Sequence, residues 1–427
     1  MPKSSIVSNK GDNTRVWTWA ALLLPAVLKL FFLHADIVFE AHTMAMEWLA
    51  SGHFRYHYFG SWDHAFQFPV YTAVLALLYK LGSGTTGALV FQVGCGTAVA
   101  YLSMCLTKLV LVGKPYAHRL GLVAAVLVGL SPFLAFYQVR MVHPFAWDML
   151  LAMAVLFLAL RASPTSDRSM LLLFAVGGLA VLNRPTLGVL MLPFALQNGR
   201  FLFRLERLGL KFFLLLLILA PIGAWLLRNH AVTGRYQLTS VTDQMIWMGV
   251  QEETEGSGHL ANGDSYFHLL SMPERHLLFE VDANDRSTFF HEKWKSEVAA
   301  QPGVRWKMFW VKLKNFWTSR GHFGQDHALV NQWAIMVFKG IALVELLLVG
   351  FALFQGNRKL NAIILSVVLL SILQCAFYFE TRHRLLVEPM IVVVVLAALA
   401  RSIERIRGGL KEGDEPVTAL RSTKFGH

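Results

Sequence analysis

Asp36 stands just beyond the first long apolar run of this chain, Val16–Leu33. A carboxylate at a bilayer boundary loses part of its hydration, which raises its pKa and its strength as a proton acceptor. The same residue also reads as a helix cap or as the polar end of a span. Glu40 and Glu47 follow on an amphipathic stretch, Glu40–Ala50, that ends at Ser51-Gly52. That stretch predicts a helix along the membrane interface, with Asp36 at its beginning. His143 lies in the turn Arg140-Met141-Val142-His143-Pro144. An imidazole there could bind a metal, orient a carboxylate or contact a phosphate, or it could be satisfied at a helix start. Asp148 falls inside an apolar run, where a carboxylate is costly and functional by default. It would otherwise pair with Arg140 or with a neighbouring span. Arg184 sits in the break Asn183-Arg184-Pro185, and Arg382-His383-Arg384 forms a dense cationic cluster before the last apolar run. A guanidinium fork suits phosphate bidentately, although arginines near span ends also snorkel toward water. Arg55, in the aromatic and His-rich linker Phe54–Phe68, completes the candidate substrate- and phosphate-binding set with Glu40, His143, Arg184, Arg382 and Arg384.

Residues of this kind need a scaffold, and composition says which. The 427 residues are 55% hydrophobic and 15% charged, with a mean hydropathy of +0.48. Soluble domains carry about 25% charged residues, so the chain reads as an all-α polytopic membrane protein. The net charge of +12 would suggest nucleic acid in a soluble protein, but cytoplasmic loops of membrane proteins collect Lys and Arg, and no nucleic-acid partner is expected. Cys95, Cys105 and Cys375 lie in apolar runs, without disulfide or metal-ligand spacing. Met1–Arg15 is polar and does not read as a cleavable signal peptide. No P-loop, dinucleotide fingerprint, GxSxG elbow or HExxH motif occurs.

Apolar runs and basic flanks predict ten spans with both ends inside. They are Val16–Leu33, Ala88–Leu106, Leu120–Tyr137, Phe145–Leu160, a short pair within Leu171–Leu196 broken at Pro185, Leu210–Leu227, Trp333–Phe354, Ala362–Tyr378 and Pro389–Ala400. Val70–Leu81 is too short to cross and predicts a second interfacial helix. The organisation is then an N-terminal module 1–227 with a catalytic first outer loop 34–82, a mostly helical outer segment 228–332, terminal spans 333–400 and a cytoplasmic tail 401–427. Lys293, Lys295, Arg305, Lys307, Lys312, Lys314 and Arg320 fall on the outer side, against the positive-inside rule, and point to an anionic ligand there. Within Glu292–Trp317 the alternation of lysines with Trp294, Trp306, Trp310 and Trp317 reads as membrane-surface helices with Trp at headgroup level.

These features together resemble the C-type superfamily of integral-membrane glycosyltransferases, in the branch of protein O-mannosyltransferases and lipid A aminoarabinose transferase. Met44–Phe54 is similar to the family's first interfacial helix with its Leu-Ala-Ser-Gly exit, and Phe68–Gly82 to the second. Leu182-Asn183-Arg184-Pro185-Thr186 resembles the family's L-T/N-R-P-T turn. Arg228-Asn229-His230 resembles the opening of its outer segment, and Glu380–Pro389 its final loop. The resemblance implies sugar transfer on the outer face of a bacterial inner membrane. The donor would be a polyprenyl-phosphate sugar, and the acceptor a hydroxyl of a lipid, glycan or protein attacking with inversion. It implies Asp36 as base and Arg382 and Arg384 as phosphate ligands, with no cofactor required. Relatives carry an acid where His143 stands; a divalent metal would fall to His143 and Asp148. A lipid or solute transporter, or an inactive scaffold subunit, are the alternatives. A transporter would favour inverted repeats and broken midplane helices, whereas the polar residues here gather at the outer end.

Overall fold

The computed structural model describes residues 10–413 other than Leu205, Ala261, residues 319–331 and Gln355. Lys3, Arg320 and the tail beyond residue 413 lie outside the described residues. The chain is a helical membrane protein. It begins with α1 (Lys10–Leu30), then β1 (Ile37–Val38) and α2 (Glu40–Ser51). Gly52 ends α2 at φ +77°, a left-handed cap that a side chain would strain. A hairpin of β2 (Tyr56–Tyr58) and β3 (Ser61–Asp63) leads to α3 (Pro69–Lys80), started by Pro69 in its first turn. Helices therefore stand where the two interfacial ones are expected, to within a residue or two, and they pack on each other.

Next come α4 (Gly84–Val110), α5 (Ala117–Leu130) and α6 (Pro132–Val139), then β4 (Met141–Val142). The expected continuous span Leu120–Tyr137 is broken by 52° between α5 and α6. Pro132 cannot donate into the preceding turn, and the Ser131 hydroxyl caps a new helix instead. α7 (Phe145–Arg161) and α8 (Asp167–Asn183) follow, then a 3-10 turn Pro185–Met191, α9 (Leu192–Gln197), α10 (Gly199–Phe203) and α11 (Leu208–Thr233). Gly178 lets α8 approach α11 closely; a Cβ there would collide with the Leu217 carbonyl. The outer segment holds α12 (Thr242–Met248), α13 (Met272–Glu280), α14 (Ala283–Ala300) and α15 (Val304–Thr318). The chain closes with α16 (Gln332–Leu353), α17 (Arg358–Ala376), α18 (Thr381–Leu385) and α19 (Glu388–Gly413).

The core runs through α4, α5, α7 and α19, while α11 and α16 turn Phe212, Leu216, Leu219, Val344 and Leu347 outward as lipid-exposed side chains. Among the described residues four helices are long and apolar enough to cross a membrane, or five if the bent pair is one span. That is short of the ten counted from apolar runs. α7 and α8 have 17 residues each, a rise of about 26 Å that barely matches a hydrocarbon core of about 30 Å. α1 and α19 mix apolar turns with charged ones.

Candidate functional site

One end of the bundle is organised by a parallel bridge between chain segments far apart in sequence. β1 pairs with β4, Ile37 opposite Met141 and Val38 opposite Val142, and the Asp36 N–H donates to the Arg140 carbonyl at 2.9 Å. This bridge brings the loop of Asp36 beside the turn of His143. Gln92, buried in α4, fixes that turn. Its side-chain amide nitrogen, Nε2, donates to the carbonyls of Tyr137 (3.1 Å) and Met141 (2.7 Å), while its Oε1 accepts from the Tyr71 hydroxyl (2.6 Å) and the His143 N–H (2.9 Å). Gln92 was missed in the sequence reading, where it sits inside an apolar run. An uncharged amide in a span is itself a signal, since it must find partners there.

Asp36 is exposed and paired. The Arg140 guanidinium donates to one carboxylate oxygen, and His34 Nε2 lies 3.3 Å from the other. The hydrogen bond from Arg140, then its charge and that of His34, outweigh desolvation and hold the Asp36 carboxyl below its ordinary value. The expected upward shift by desolvation is corrected: the outer loop leaves Asp36 in water, beside a cation. It is ionised at neutral pH, a ready but weak base.

Beside this bridge lies a cavity of about 360 Å³. α3, the start of α7, the Asn183-Arg184 turn and the outer segment enclose it. Gln67 and Thr72 line one side, Asp148 and Arg184 another, and Thr239 and Thr242 the lid contributed by the outer segment. Asp148 is buried and satisfied, accepting from Asn183 Nδ2 at 2.6 Å and Arg184 Nη1 at 3.0 Å. Of the two pairings open for Asp148, the structure takes the neighbouring element; Arg140 belongs to Asp36. The Asn-Arg-Pro turn thus orients one carboxylate at the cavity wall with the Asn183 amide and one guanidinium nitrogen of Arg184.

His143 is buried edge-on to Phe39, with ring centroids 4.5 Å apart. Its Nδ1 accepts from the Phe145 N–H at 3.1 Å, which leaves Nε2 to carry hydrogen in the neutral ring. Burial, then the charges of Arg382 and Arg184, push its pKa well below the usual histidine value. His383 is pushed down the same way, by burial and then Arg184 and Arg382. Arg382 places its guanidinium 5.7 Å over the Phe39 ring. Arg184, Arg382, His143 and His383 therefore converge from three separate turns onto one electropositive spot. Glu380 anchors the last turn. Burial would raise its pKa, but the hydrogen bond from His259, the Arg382 charge and the Tyr378 hydroxyl (2.5 Å) hold it well below the carboxylate range.

The other candidates are not brought to this spot. Arg384 is 1% exposed, ion-paired with Glu345 of α16 and Glu388 of α19, and lies 5.4 Å over the Trp317 ring. Its charge is consumed inside the bundle. Arg55 pairs with Glu47 at 2.8 Å and stacks on Trp62 at 4.0 Å. Glu40 begins α2 and faces the tyrosines of the hairpin. Burial first and then the Glu40 charge push the Tyr56 phenol up to about 12. Arg228 shows what the outer-segment opening does: it binds the Phe54 carbonyl at 2.9 Å and the His64 carbonyl, tying α11 to the first outer loop. Of the outer lysines, Lys312 is buried. It donates to the carbonyls of Gly249 (2.8 Å) and Phe377, with its pKa brought down to about 8 by burial. It is a structural clamp. Trp306 and Trp310 of α15 are exposed, one turn apart.

A divalent metal does not fit the residues present. Among the described residues no three His, Cys, Asp or Glu side chains gather as a ligand set. His143 and Asp148, the expected pair, already direct their atoms to Phe145, Asn183 and Arg184.

No protein family and no curated protein sequence matches the chain. Solved structures do. An archaeal oligosaccharyltransferase, AglB from Archaeoglobus fulgidus in complex with an inhibitory peptide and a dolichol-phosphate, matches at 12% identity and a TM-score of 0.48, over 96% of this chain and 53% of that one. The Archaeoglobus fulgidus oligosaccharyltransferase in complex with Zn and sulfate matches at 12% identity and a TM-score of 0.47, over 93% and 49%. ArnT from Cupriavidus metallidurans bound to undecaprenyl phosphate matches at 13% and 0.40, over 94% and 80%. The chain spans about half the length of the oligosaccharyltransferases it matches. At these scores the functional reading rests on the residues of this chain.

Proposed function

We propose that the protein is a membrane glycosyltransferase that moves a sugar from a polyprenyl-phosphate carrier to an acceptor hydroxyl, with inversion, on the outer face of a bacterial inner membrane. The observation that carries this reading is the convergence of Arg184, Arg382, His143 and His383 next to a largely apolar cavity that also presents Gln67, Thr72, Thr239 and Thr242. Fixed cations at that point suit a lipid phosphate, and their field stabilises the negative charge that develops as it leaves. His143 Nε2 is the neutral donor of the set. The cavity beside Gln67, Thr72, Thr239 and Thr242 suits a sugar, whose hydroxyls need such partners. Asp36 takes the acceptor proton. Its ionised state at neutral pH serves a reaction whose driving force is phosphate departure, where a weak base is enough. No nucleotide sugar enters the step.

The test is mass spectrometry of lipids, glycans and proteins from a strain lacking this gene. Loss of one sugar-bearing species, restored by the wild-type gene and not by Asp36→Asn, is expected. An unchanged profile, or restoration by Asp36→Asn, contradicts the reading. Accumulation of an unmodified solute without loss of any glycan would favour a transporter.

A further inference from the structure

A second opening has Arg140 in its lining. It is a groove of about 340 Å³ between α1 and the α5–α6 corner. Pro25, Leu28 and Phe32 form one wall, and Leu130, Pro132 and Phe136 the other. Leu24, Val27, Leu28 and Phe31 are exposed on the outward side of α1, as is Leu130 on α5, so the groove opens to lipid. Two cations interrupt these apolar walls: Lys29 and Arg140. Lys29 is 7% exposed, and its ammonium donates to Gln138 Oε1 at 2.7 Å. Among the described residues no carboxylate lies within ion-pairing distance of it. A buried ammonium facing only a neutral amide is costly, and charges in apolar surroundings are kept for a counter-charge or a function. The chain invests in this arrangement. Gly96 of α4 makes room for the Gln138 amide, which a Cβ there would strike. Arg140, in turn, holds Asp36.

Resting on the glycosyltransferase reading above, we propose that this groove admits the acceptor, and that the acceptor is an outer-leaflet lipid with an anionic headgroup. The apolar walls take an aliphatic chain, Lys29 takes the headgroup anion, and the path past Arg140 ends at Asp36. Donor and acceptor then use two separate openings. A headgroup hydroxyl oxygen bonds to the anomeric carbon as the bond from that carbon to the carrier phosphate oxygen breaks. The bonding pair leaves on the phosphate, and the hydroxyl proton passes to the Asp36 carboxylate and on to water.

The experiment is native mass spectrometry of the full chain released from nanodiscs containing phosphatidylglycerol, phosphatidylcholine and polyprenyl phosphate. Lys29→Met is expected to lower retained phosphatidylglycerol at least tenfold, with polyprenyl phosphate retained as in the wild type, and Lys29→Arg to restore it. Should Lys29→Met not fold, Ala135→Trp, which fills the groove and keeps Lys29, is expected to give the same loss. Unchanged phosphatidylglycerol in both variants overturns the proposal. So does displacement by free glycerol phosphate as effective as by the lipid, which would leave a bare anion site. Loss in Lys29→Met combined with polyprenyl phosphate retention that ignores Arg382→Ala keeps the groove and removes the donor assignment instead.

Discussion

Two arginines two residues apart in the last outer turn have opposite fates. Arg384 points into the bundle, where Glu345 and Glu388 flank it and Trp317 covers it. Arg382 lies over Phe39, beside His143, His383 and Glu380. The first is an internal ion triad that ties α16, α18 and α19 together. The second contributes to a field that two imidazoles already feel. A cation's type and its place at an outer turn say nothing about whether its charge is already spent. Only the distribution of carboxylates around it decides whether a ligand can use it.

That contrast can be broken. Arg384→Ala should cost about 3–5 kcal/mol of stability, because it strands two buried carboxylates. Thermal unfolding in detergent would read this as a large drop in Tm, and Arg384→Ala combined with Glu345→Gln should recover part of it. Arg382→Ala should instead lower Tm by less than Arg384→Ala does and weaken binding of polyprenyl phosphate by about 1.5–3 kcal/mol, roughly 10- to 100-fold, the range for a hydrogen bond to a charged group. Titration by fluorescence or calorimetry would show it. If both variants lower stability equally, the two arginines are not different in kind. Gln92→Leu sharpens the comparison further. It removes several buried hydrogen bonds behind His143 and should cost about 1–3 kcal/mol, while shifting transfer rate more than donor affinity.

The smallest effect is a pH dependence. His143 and His383 are held neutral in the fold, below the free histidine value near 6.5. The unfolded chain therefore binds more protons than the folded one as pH falls through that value. Stability is full above about pH 6.5 and declines below it. Melting in buffers from pH 7.5 to 5 should show a gradual fall, and His143→Gln should flatten part of it. A rise of Tm on acidification would mean that the imidazoles gain protons on folding.

Much of the scaffold was legible from the sequence because it rests on local signals. Gly52 closes the first of the two short helices and Pro69 starts the second, and Asn183-Arg184-Pro185 marks its own helix break. The span count was less legible. Apolar run length does not show that α4 extends past its run at both ends or that Ser131-Pro132 bends α5 into α6. Within the site, Asp36, His143, Arg184 and Arg382 were visible as residue types, but their states were not. Arg140 reaches Asp36 across 104 residues through the β1–β4 bridge, and Glu345 reaches Arg384 across 39. Those partners lowered one acid's pKa where burial was expected to raise it, and removed one arginine from the candidate site.

The central claim is that Asp36 takes the acceptor proton in a transfer driven by a lipid phosphate leaving group. Its most direct test is sugar transfer by the purified protein in nanodiscs, from a polyprenyl-phosphate sugar, with wild type and Asp36→Asn compared at equal Tm. The account predicts a fall of about 10²–10⁴-fold in turnover, the range for losing a general base, with donor affinity unchanged. Transfer by Asp36→Asn at the wild-type rate would contradict it.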